Sequence, residues 1–143
     1  MRINACTLSL TVADIAATQR FLVDHFGYTE AIAADGFVSL THPQAPLSIA
    51  VHEIGLAVLP EEQRHVPSQG IAVVFTVDDA ARAEARLRAA GVPITLPLME
   101  QPWGEKLFQV TDPNGVIVQV LEWTVPGDVE SALSHDRNTE RTD

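Results

Sequence analysis

Basic residues and long apolar runs are both scarce in this sequence. Only 9 of its 143 residues are Lys or Arg, against 19 that are Asp or Glu, and the formal net charge at pH 7 is −10. Nucleic acid and anionic membrane surfaces repel a protein surface of that sign. No apolar run reaches the roughly 20 residues that a transmembrane helix requires, since Asp14 and Asp24 interrupt the first apolar segment. The sequence therefore predicts neither a nucleic-acid partner nor a membrane partner.

Cysteine is almost absent, because Cys6 is the only one in the chain. No internal disulfide can form, which favours a reducing compartment. The first residues, Met1-Arg2-Ile3-Asn4, lack the apolar segment of a signal peptide, and we expect a cytoplasmic protein. A lone cysteine can be a nucleophile, but it is more often a small buried apolar residue. We interpret Cys6 in the second way.

The residues that are present have the composition of a globular protein, with 46% hydrophobic and 20% charged residues. Polar and apolar residues alternate over Thr7–Val12, which predicts a half-buried strand. Asp14 then suits the start of a helix, and Gly27 suits its C-terminal end. The strands that we predict after this helix are Thr29–Ala33, Gly36–Thr41 and Leu47–His52, with Asp35-Gly36 as a hairpin turn.

The same order of elements recurs in the second half of the chain. Apolar residues alternate over Ile71–Val77, and Asp78 or Asp79 is expected to begin a helix that Gly91 closes. Placing Gly27 on Gly91 gives an offset of 64 (91 − 27), and this repeat of element order indicates an internal duplication. The strands that we predict after the second helix are Pro93–Leu96, Glu105–Thr111 and Val116–Trp123.

These patterns predict an α+β fold made of two βαβββ modules in one domain over residues 1–125. Module one spans about residues 5–54, a connector follows at 55–69, and module two spans about 70–124. Residues 126–143 are polar and poor in apolar side chains. This composition predicts a disordered tail.

Several short motifs, in this order along the chain, resemble those of a known superfamily. They are Leu10-Thr11-Val12-Ala13-Asp14, Phe21-Leu22-Val23-Asp24-His25-Phe26-Gly27-Tyr28, Gln101-Pro102-Trp103-Gly104-Glu105 and Asp112-Pro113-Asn114-Gly115. Over about residues 5–124 the chain resembles the vicinal oxygen chelate superfamily of glyoxalases, bleomycin-resistance proteins and extradiol dioxygenases. It is most similar to the bleomycin-resistance-like branch. The resemblance implies two βαβββ modules that curl into a cupped mixed sheet around a cavity, and a homodimer with ligand clefts at its interface.

Metal-dependent members of that superfamily take metal ligands from four strands. The resemblance implies that the corresponding positions here are Thr7, Ala72, Gln119 and a residue between Ser48 and His52. A divalent ion needs imidazole nitrogen or anionic oxygen donors. A hydroxyl, a methyl group and a neutral amide occupy the first three positions, so only His52 remains as a good donor. We therefore predict no bound metal and no cofactor.

The cavity that the resemblance implies would be lined by aromatic and small polar side chains instead. Trp103 lies on a loop that enters a strand, where its flat face can stack on a ligand or can cover the core. The ligand-binding residues that we predict are Trp103, Phe37 and Phe108 for aromatic contact, and His52, Thr7, Ser9 and Gln119 for polar contact.

The sequence therefore predicts a protein that sequesters a planar aromatic molecule, neutral or cationic, without breaking a bond. One alternative is a metal-dependent lyase, isomerase or dioxygenase-like enzyme of the same superfamily whose metal ligands are displaced. Another is a non-catalytic interaction module with a filled cavity. A stoichiometric divalent ion would favour the enzyme, and the absence of both metal and small ligand would favour the module.

Overall fold

The computed structural model describes residues 1–125, and the tail that we predicted over 126–143 lies outside them. The chain forms two compact units. The first contains Met1–Val73 and Thr111–Ile117, and the second contains Val74–Val110 and the described residues from Val118 onward. Along the chain the elements are β1 (Cys6–Val12), α1 (Ile15–Phe26), β2 (Thr29–Ala34), β3 (Phe37–Thr41), β4 (Leu47–Glu53), β5 (Ala72–Thr76), α2 (Ala80–Ala89), β6 (Ile94–Gln101), β7 (Glu105–Thr111) and β8 (Ile117–Trp123).

The strands form two four-stranded mixed sheets, with the strand orders β1-β4-β3-β2 and β5-β8-β7-β6. In the first sheet β1 pairs in parallel with β4, and β3 pairs antiparallel with both β4 and β2. The second sheet repeats the strand order of the first, with β5, β8, β7 and β6 in the places of β1, β4, β3 and β2. The predicted α+β fold with two βαβββ modules is therefore confirmed.

Alternation along the strands places an apolar face of the first sheet against α1. Leu10, Leu40, Ile49 and Val51 are all buried, and α1 lies against β3 and β4. Burial of a Leu, Ile or Val side chain contributes about 1.5–3 kcal/mol. The residues between them, which carry hydroxyl and other small side chains, therefore lie on the opposite face.

Both ends of α1 follow the sequence prediction. The carboxylate of Asp14 accepts a hydrogen bond from the backbone N–H of Ala17, which satisfies one of the free donors at the helix start. Gly27 ends the helix with φ +73°, a left-handed conformation that glycine adopts without strain. Of the two candidates for the start of α2, the structure selects Asp79, whose side chain accepts from the N–H of Arg82.

Strand β6 is longer than the sequence prediction, which ended it at Leu96. The observed strand continues through Pro97 to Gln101, with irregular register on both sides of Leu96. Proline has no backbone N–H to donate, but β6 is at the edge of its sheet, where one side of the strand needs no donor. The prediction was wrong here because the sequence does not state which strand lies at the edge.

Two further features concern the surface of the described residues. Cys6 is exposed at the start of β1, so its interpretation as a buried apolar residue was wrong. The first residues of β1 lie beyond the part of the sheet that is buried, and burial begins at Leu10.

Neither helix within residues 1–125 is long and apolar enough to cross a bilayer.

Candidate functional site

The face of the first sheet that lies opposite α1 carries hydroxyl groups around one histidine. Thr11 of β1 and Phe37 of β3 both pair in register with His52 of β4. Residues paired in this way point to the same side of a sheet. The same alternation places further small side chains on this face, namely Thr7, Ser9, Ser39, Ser48 and Ala50.

His52 is held by two hydroxyl groups on the neighbouring strand. Its Nε2 lies 2.8 Å from Oγ of Ser9, and its Nδ1 lies 3.3 Å from Oγ1 of Thr11. The side chain is only 3% exposed, and burial lowers the pKa of His52 below its ordinary value of 6.5. Burial therefore favours the neutral imidazole at pH 7. A neutral imidazole has one N–H and one lone pair, so one hydroxyl donates to the ring while the other accepts and keeps its own proton for a further acceptor.

Trp103 is presented at the tip of the β6–β7 hairpin in the second unit. Its side chain is 61% exposed, while its indole Nε1 donates to Oε2 of Glu105 at 2.6 Å. Glu105 itself is buried. The polar atom of the ring is thus satisfied from within the protein, and the apolar ring faces solvent. An exposed indole held in this way can stack on a planar aromatic molecule.

Gly104 holds the hairpin tip against the end of β8. Its backbone N–H donates to the carbonyl of Gln101, and its carbonyl accepts from the N–H of Thr124 at 2.8 Å. Gly104 has φ +90°, and a Cβ at this position would lie 1.7 Å from Cγ2 of Val125. Only glycine allows this close approach. The tip that carries Trp103 is consequently fixed on both sides.

The other predicted ligand-binding residues lie in different environments. Phe37 is half-buried beside His52, and Thr7 is exposed near the start of β1. Phe108 is fully buried in β7 and offers no ring face to solvent. Gln119 is half-buried in β8, where its Oε1 accepts from Nε2 of Gln109 at 2.8 Å. The structure thus brings Ser9, Phe37 and His52 together on one sheet face, and it places Trp103, Phe108 and Gln119 in the second unit.

The sequence analysis did not identify two residues of this arrangement. Thr11 completes the hydroxyl pair around His52, and its place in the alternation with Thr7 and Ser9 was the available signal. Glu105 fixes the indole of Trp103. Its position two residues after Trp103, across a glycine, was a weaker signal, since a hairpin tip was not predicted at that point.

The side chains present do not fit the metal site that the family resemblance implies. Thr7 supplies a neutral hydroxyl, Ala72 supplies no donor, and the oxygen of Gln119 is already bonded to Gln109. Both ring nitrogens of His52 are engaged by hydroxyls. Among residues 1–125, no three His, Cys, Asp or Glu side chains are close enough to hold an ion together. Divalent ions bind through imidazole, thiolate or carboxylate donors, and these positions do not provide such a set.

The Asp-Pro-Asn-Gly segment has a structural role within the first unit. Oδ1 of Asp112 accepts from the backbone N–H groups of Asn114 and Val116, at 2.9 and 2.7 Å, and Oδ2 accepts from the hydroxyl of Thr18. The Asn114 carboxamide donates to the carbonyl of Asp14 and to Oγ1 of Thr18, and it accepts from the N–H of Asp14. The turn is therefore joined to the beginning of α1 by side chains that are all hydrogen-bonded.

Known structures share this fold at low sequence identity. A glyoxalase/bleomycin resistance protein/dioxygenase from Nocardioides is 22% identical with a TM-score of 0.70, and the alignment covers 90% of this chain and 89% of that one. A lactoylglutathione lyase from Agrobacterium tumefaciens is 20% identical with a TM-score of 0.68, covering 87% of this chain and 97% of that one. TnmS3, an antibiotic binding protein from Streptomyces sp. CB03234, is 19% identical with a TM-score of 0.67, covering 85% of this chain and 97% of that one.

Such identities establish the fold alone, and no curated protein matches the chain. A family model gives the stronger result. Residues 2–120 match the model described as the Glyoxalase/Bleomycin resistance protein/Dioxygenase superfamily. That span covers most of the chain, including the hydroxyl-lined face of the first sheet and the Trp103 hairpin. The chain therefore belongs to the glyoxalase/bleomycin resistance protein/dioxygenase superfamily.

Proposed function

We propose that this protein binds a planar aromatic small molecule without a metal ion and sequesters it. The observation that carries the proposal is the Trp103 indole, which is 61% exposed while its N–H is bonded to the buried carboxylate of Glu105. An exposed tryptophan of this kind retains a free π-face for a ligand. Stacking contributes about 0.5–1.5 kcal/mol beyond the burial of apolar area.

The charge of the protein favours a cationic or neutral ligand over an anionic one. The formal net charge is −10, and the carboxylate of Glu105 lies directly at the indole. A cation near the face of tryptophan is further stabilised by the ring quadrupole. We therefore propose a planar cation as the ligand class, with a homodimer as the assembly that the bleomycin-resistance-like branch implies.

The similarity to TnmS3 is consistent with this proposal because that protein is an antibiotic binding protein of the same fold. The similarity to a lactoylglutathione lyase would favour an enzyme equally well if the metal donors were present. The donor set supports the binding protein over the enzyme. With a hydroxyl at Thr7, a methyl group at Ala72 and an amide at Gln119, binding without a metal is the function that the side chains support best.

Titration with a planar cationic dye, ethidium, tests the proposal. We expect saturable binding that Trp103→Ala weakens at least tenfold, equivalent to about 1.4 kcal/mol, and that Trp103→Phe largely retains. Trp123→Phe, at the end of β8, is the matched control and should leave the affinity unchanged. Equal affinities for the wild-type protein and Trp103→Ala would remove Trp103 from the site and contradict the proposal.

Elemental analysis of protein purified without chelators tests the metal-free part. We expect no divalent ion at stoichiometric level, and dialysis against EDTA should leave both the melting temperature and dye binding unchanged. A stoichiometric ion that is lost together with dye binding would replace sequestration with a metal-dependent activity. Sedimentation of the same preparation measures the oligomeric state.

A further inference from the structure

We propose that the first unit contains a separate binding site for one uncharged small molecule with an apolar body. The site is a cavity of about 400 Å³ between the end of β1 and the segment that follows β4. Small-molecule sites in proteins commonly have volumes of about 300–1,000 Å³. Thr11 lies on one side of the cavity, apolar Leu59, Val66 and Ile71 form much of the lining, and Gln63 and Gln69 also line it.

The lining contains no charged residue, although the protein as a whole is strongly acidic. Arg64 lies in the same segment, but its guanidinium is bonded to the carbonyl of Leu59 through Nε at 3.3 Å and Nη2 at 3.0 Å. The cavity is open to solvent, and an ion that binds in it loses part of its hydration without gaining a counter-charge. The cavity therefore favours an uncharged molecule.

Polar recognition is available from the two glutamines. The side-chain amides of Gln63 and Gln69 form no hydrogen bond with any residue that the structure describes. Each carries an acceptor oxygen and two donor hydrogens. The exposed side chains of Val66 and Ile71 provide apolar surface beside them. This combination suits an uncharged molecule with an aromatic or aliphatic body and one amide, ketone, ester or aromatic amine group.

The walls of the cavity are held in place before any ligand binds. Thr11 and Ser68 are joined twice, since the N–H of Thr11 donates to Oγ of Ser68 and the N–H of Ser68 donates to the carbonyl of Thr11, both at 2.9 Å. The N–H of Gly55 donates to the carbonyl of Arg64 at 2.8 Å, which closes the segment on itself. A preformed site loses less conformational entropy on binding. Thr11 also contacts His52, so the cavity adjoins the polar cluster of the first sheet.

This inference does not depend on Trp103, and two fluorescent dyes with the same ring system test it. N-phenylnaphthylamine is uncharged, whereas its analogue anilinonaphthalene sulfonate carries a negative charge. In about 1 M NaCl the Debye length is ~3 Å, so the net charge of the protein no longer decides between them. We expect saturable binding of the uncharged dye and at least tenfold weaker binding of the sulfonate.

Two valines of the same segment provide matched variants. Val66 lines the cavity and is 50% exposed, whereas Val58 is 59% exposed and lies outside the lining. We expect Val66→Asp to weaken binding of N-phenylnaphthylamine at least tenfold, Val66→Ser to weaken it by a smaller factor, and Val58→Asp to change it less than twofold. Trp103→Ala should leave the affinity for this dye unchanged, even if it abolishes binding of ethidium.

Circular dichroism and melting temperature establish that each variant is folded. If Val66→Asp does not fold, dye binding by Val66→Ser is compared with that of the wild-type protein instead. The inference is overturned if the Val66 variants bind the uncharged dye as the wild-type protein does, or if both dyes bind equally well. It is also overturned if Val66→Asp changes the sedimentation coefficient without changing dye binding, because a second copy of the chain would then cover the cavity.

Discussion

The indole Nε1 of Trp103 lies 2.6 Å from Oε2 of Glu105, so that an exposed aromatic ring is anchored by a buried carboxylate two residues along the same hairpin. A hydrogen bond to a charged acceptor contributes about 1.5–3 kcal/mol. We expect Glu105→Ala to release the ring, and Glu105→Gln to retain the bond through its amide oxygen. Time-resolved fluorescence anisotropy in a Trp123→Phe background measures the motion of Trp103 alone.

In that experiment Glu105→Ala should add a fast depolarisation component and weaken ethidium binding by threefold or more. Glu105→Gln should resemble the wild-type protein in anisotropy. If the ring is equally rigid in all three proteins, the hairpin backbone fixes it, and Glu105 has no part in its positioning.

Gly104 should be unusually intolerant of substitution. Alanine there adopts an unfavourable φ of +90°, and its Cβ collides with Val125 at 1.7 Å. Gly91 is the matched control, because it has φ +81° and nothing within 4 Å of an added Cβ. Left-handed strain of this kind costs on the order of 1–3 kcal/mol at each position.

We expect urea denaturation to show a loss of unfolding free energy for Gly104→Ala that exceeds the loss for Gly91→Ala by at least about 1 kcal/mol, within the range of overpacking effects. The additional substitution Val125→Ala should recover part of this difference. Equal losses at the two glycines would mean that Val125 moves away freely and does not brace the hairpin.

Truncation of Asp112 should destabilise the protein more than truncation of any other polar residue in the first unit. Its carboxylate accepts two backbone N–H groups and the hydroxyl of Thr18. Each buried group that loses its partner costs about 1–3 kcal/mol. We expect Asp112→Ala to lower the unfolding free energy by at least about 2 kcal/mol, and Thr18→Val, which keeps the shape but removes the hydroxyl bonded to Asp112 and Asn114, to lower it by a smaller amount, about 1 kcal/mol.

Chemical denaturation measures these differences, with Asp24→Ala on the exposed surface of α1 as the control. Asp24→Ala should change the unfolding free energy by less than about 0.5 kcal/mol. A loss for Asp112→Ala no greater than that of the control would indicate that water replaces all three partners without cost.

His52 should make stability depend on pH near neutrality. Burial lowers its pKa in the folded state, so the unfolded chain takes up a proton first as the pH falls. The stabilisation is therefore complete above the unfolded pKa of about 6.5. It decreases as the pH falls below that value, until the folded state is also protonated. We expect the unfolding free energy to decrease between about pH 7.5 and 5.5.

The substitution His52→Gln, which keeps hydrogen-bonding capacity and does not titrate, should flatten this dependence. His65→Gln, in the exposed segment after β4, is the control and should preserve it. If the wild-type protein and His52→Gln have the same slope over this range, another group is responsible for the pH dependence.

Local patterns were sufficient to predict most elements of the fold. The alternation over Thr7–Val12 predicted β1 to within one residue, and Asp14 and Gly27 marked the ends of α1 correctly. These signals depend on interactions among neighbours in sequence, such as a carboxylate that caps an N–H three residues later. For this reason they can be read without knowledge of the rest of the chain.

The sequence prediction was less complete where the environment of a residue depends on strands that are distant in the sequence. Pro97 lies inside β6 because that strand is at an edge. Phe108 was predicted to line a cavity, yet its place in β7 puts it in the interior. An aromatic residue in a strand has two possible sides, and which of them is exposed depends on what packs against the sheet.

What the sequence determined by itself is the order of the elements and the apolar face of each, since both depend on residue type and short spacing. Only the tertiary structure decided which side chains form hydrogen bonds with one another. Strand pairing brings His52 to hydroxyls 43 and 41 residues away, on Ser9 and Thr11, and folding brings Asn114 to Asp14 across 100 residues. Such contacts form only after long segments of chain have closed, and their free energy depends on burial that residues near in sequence do not provide.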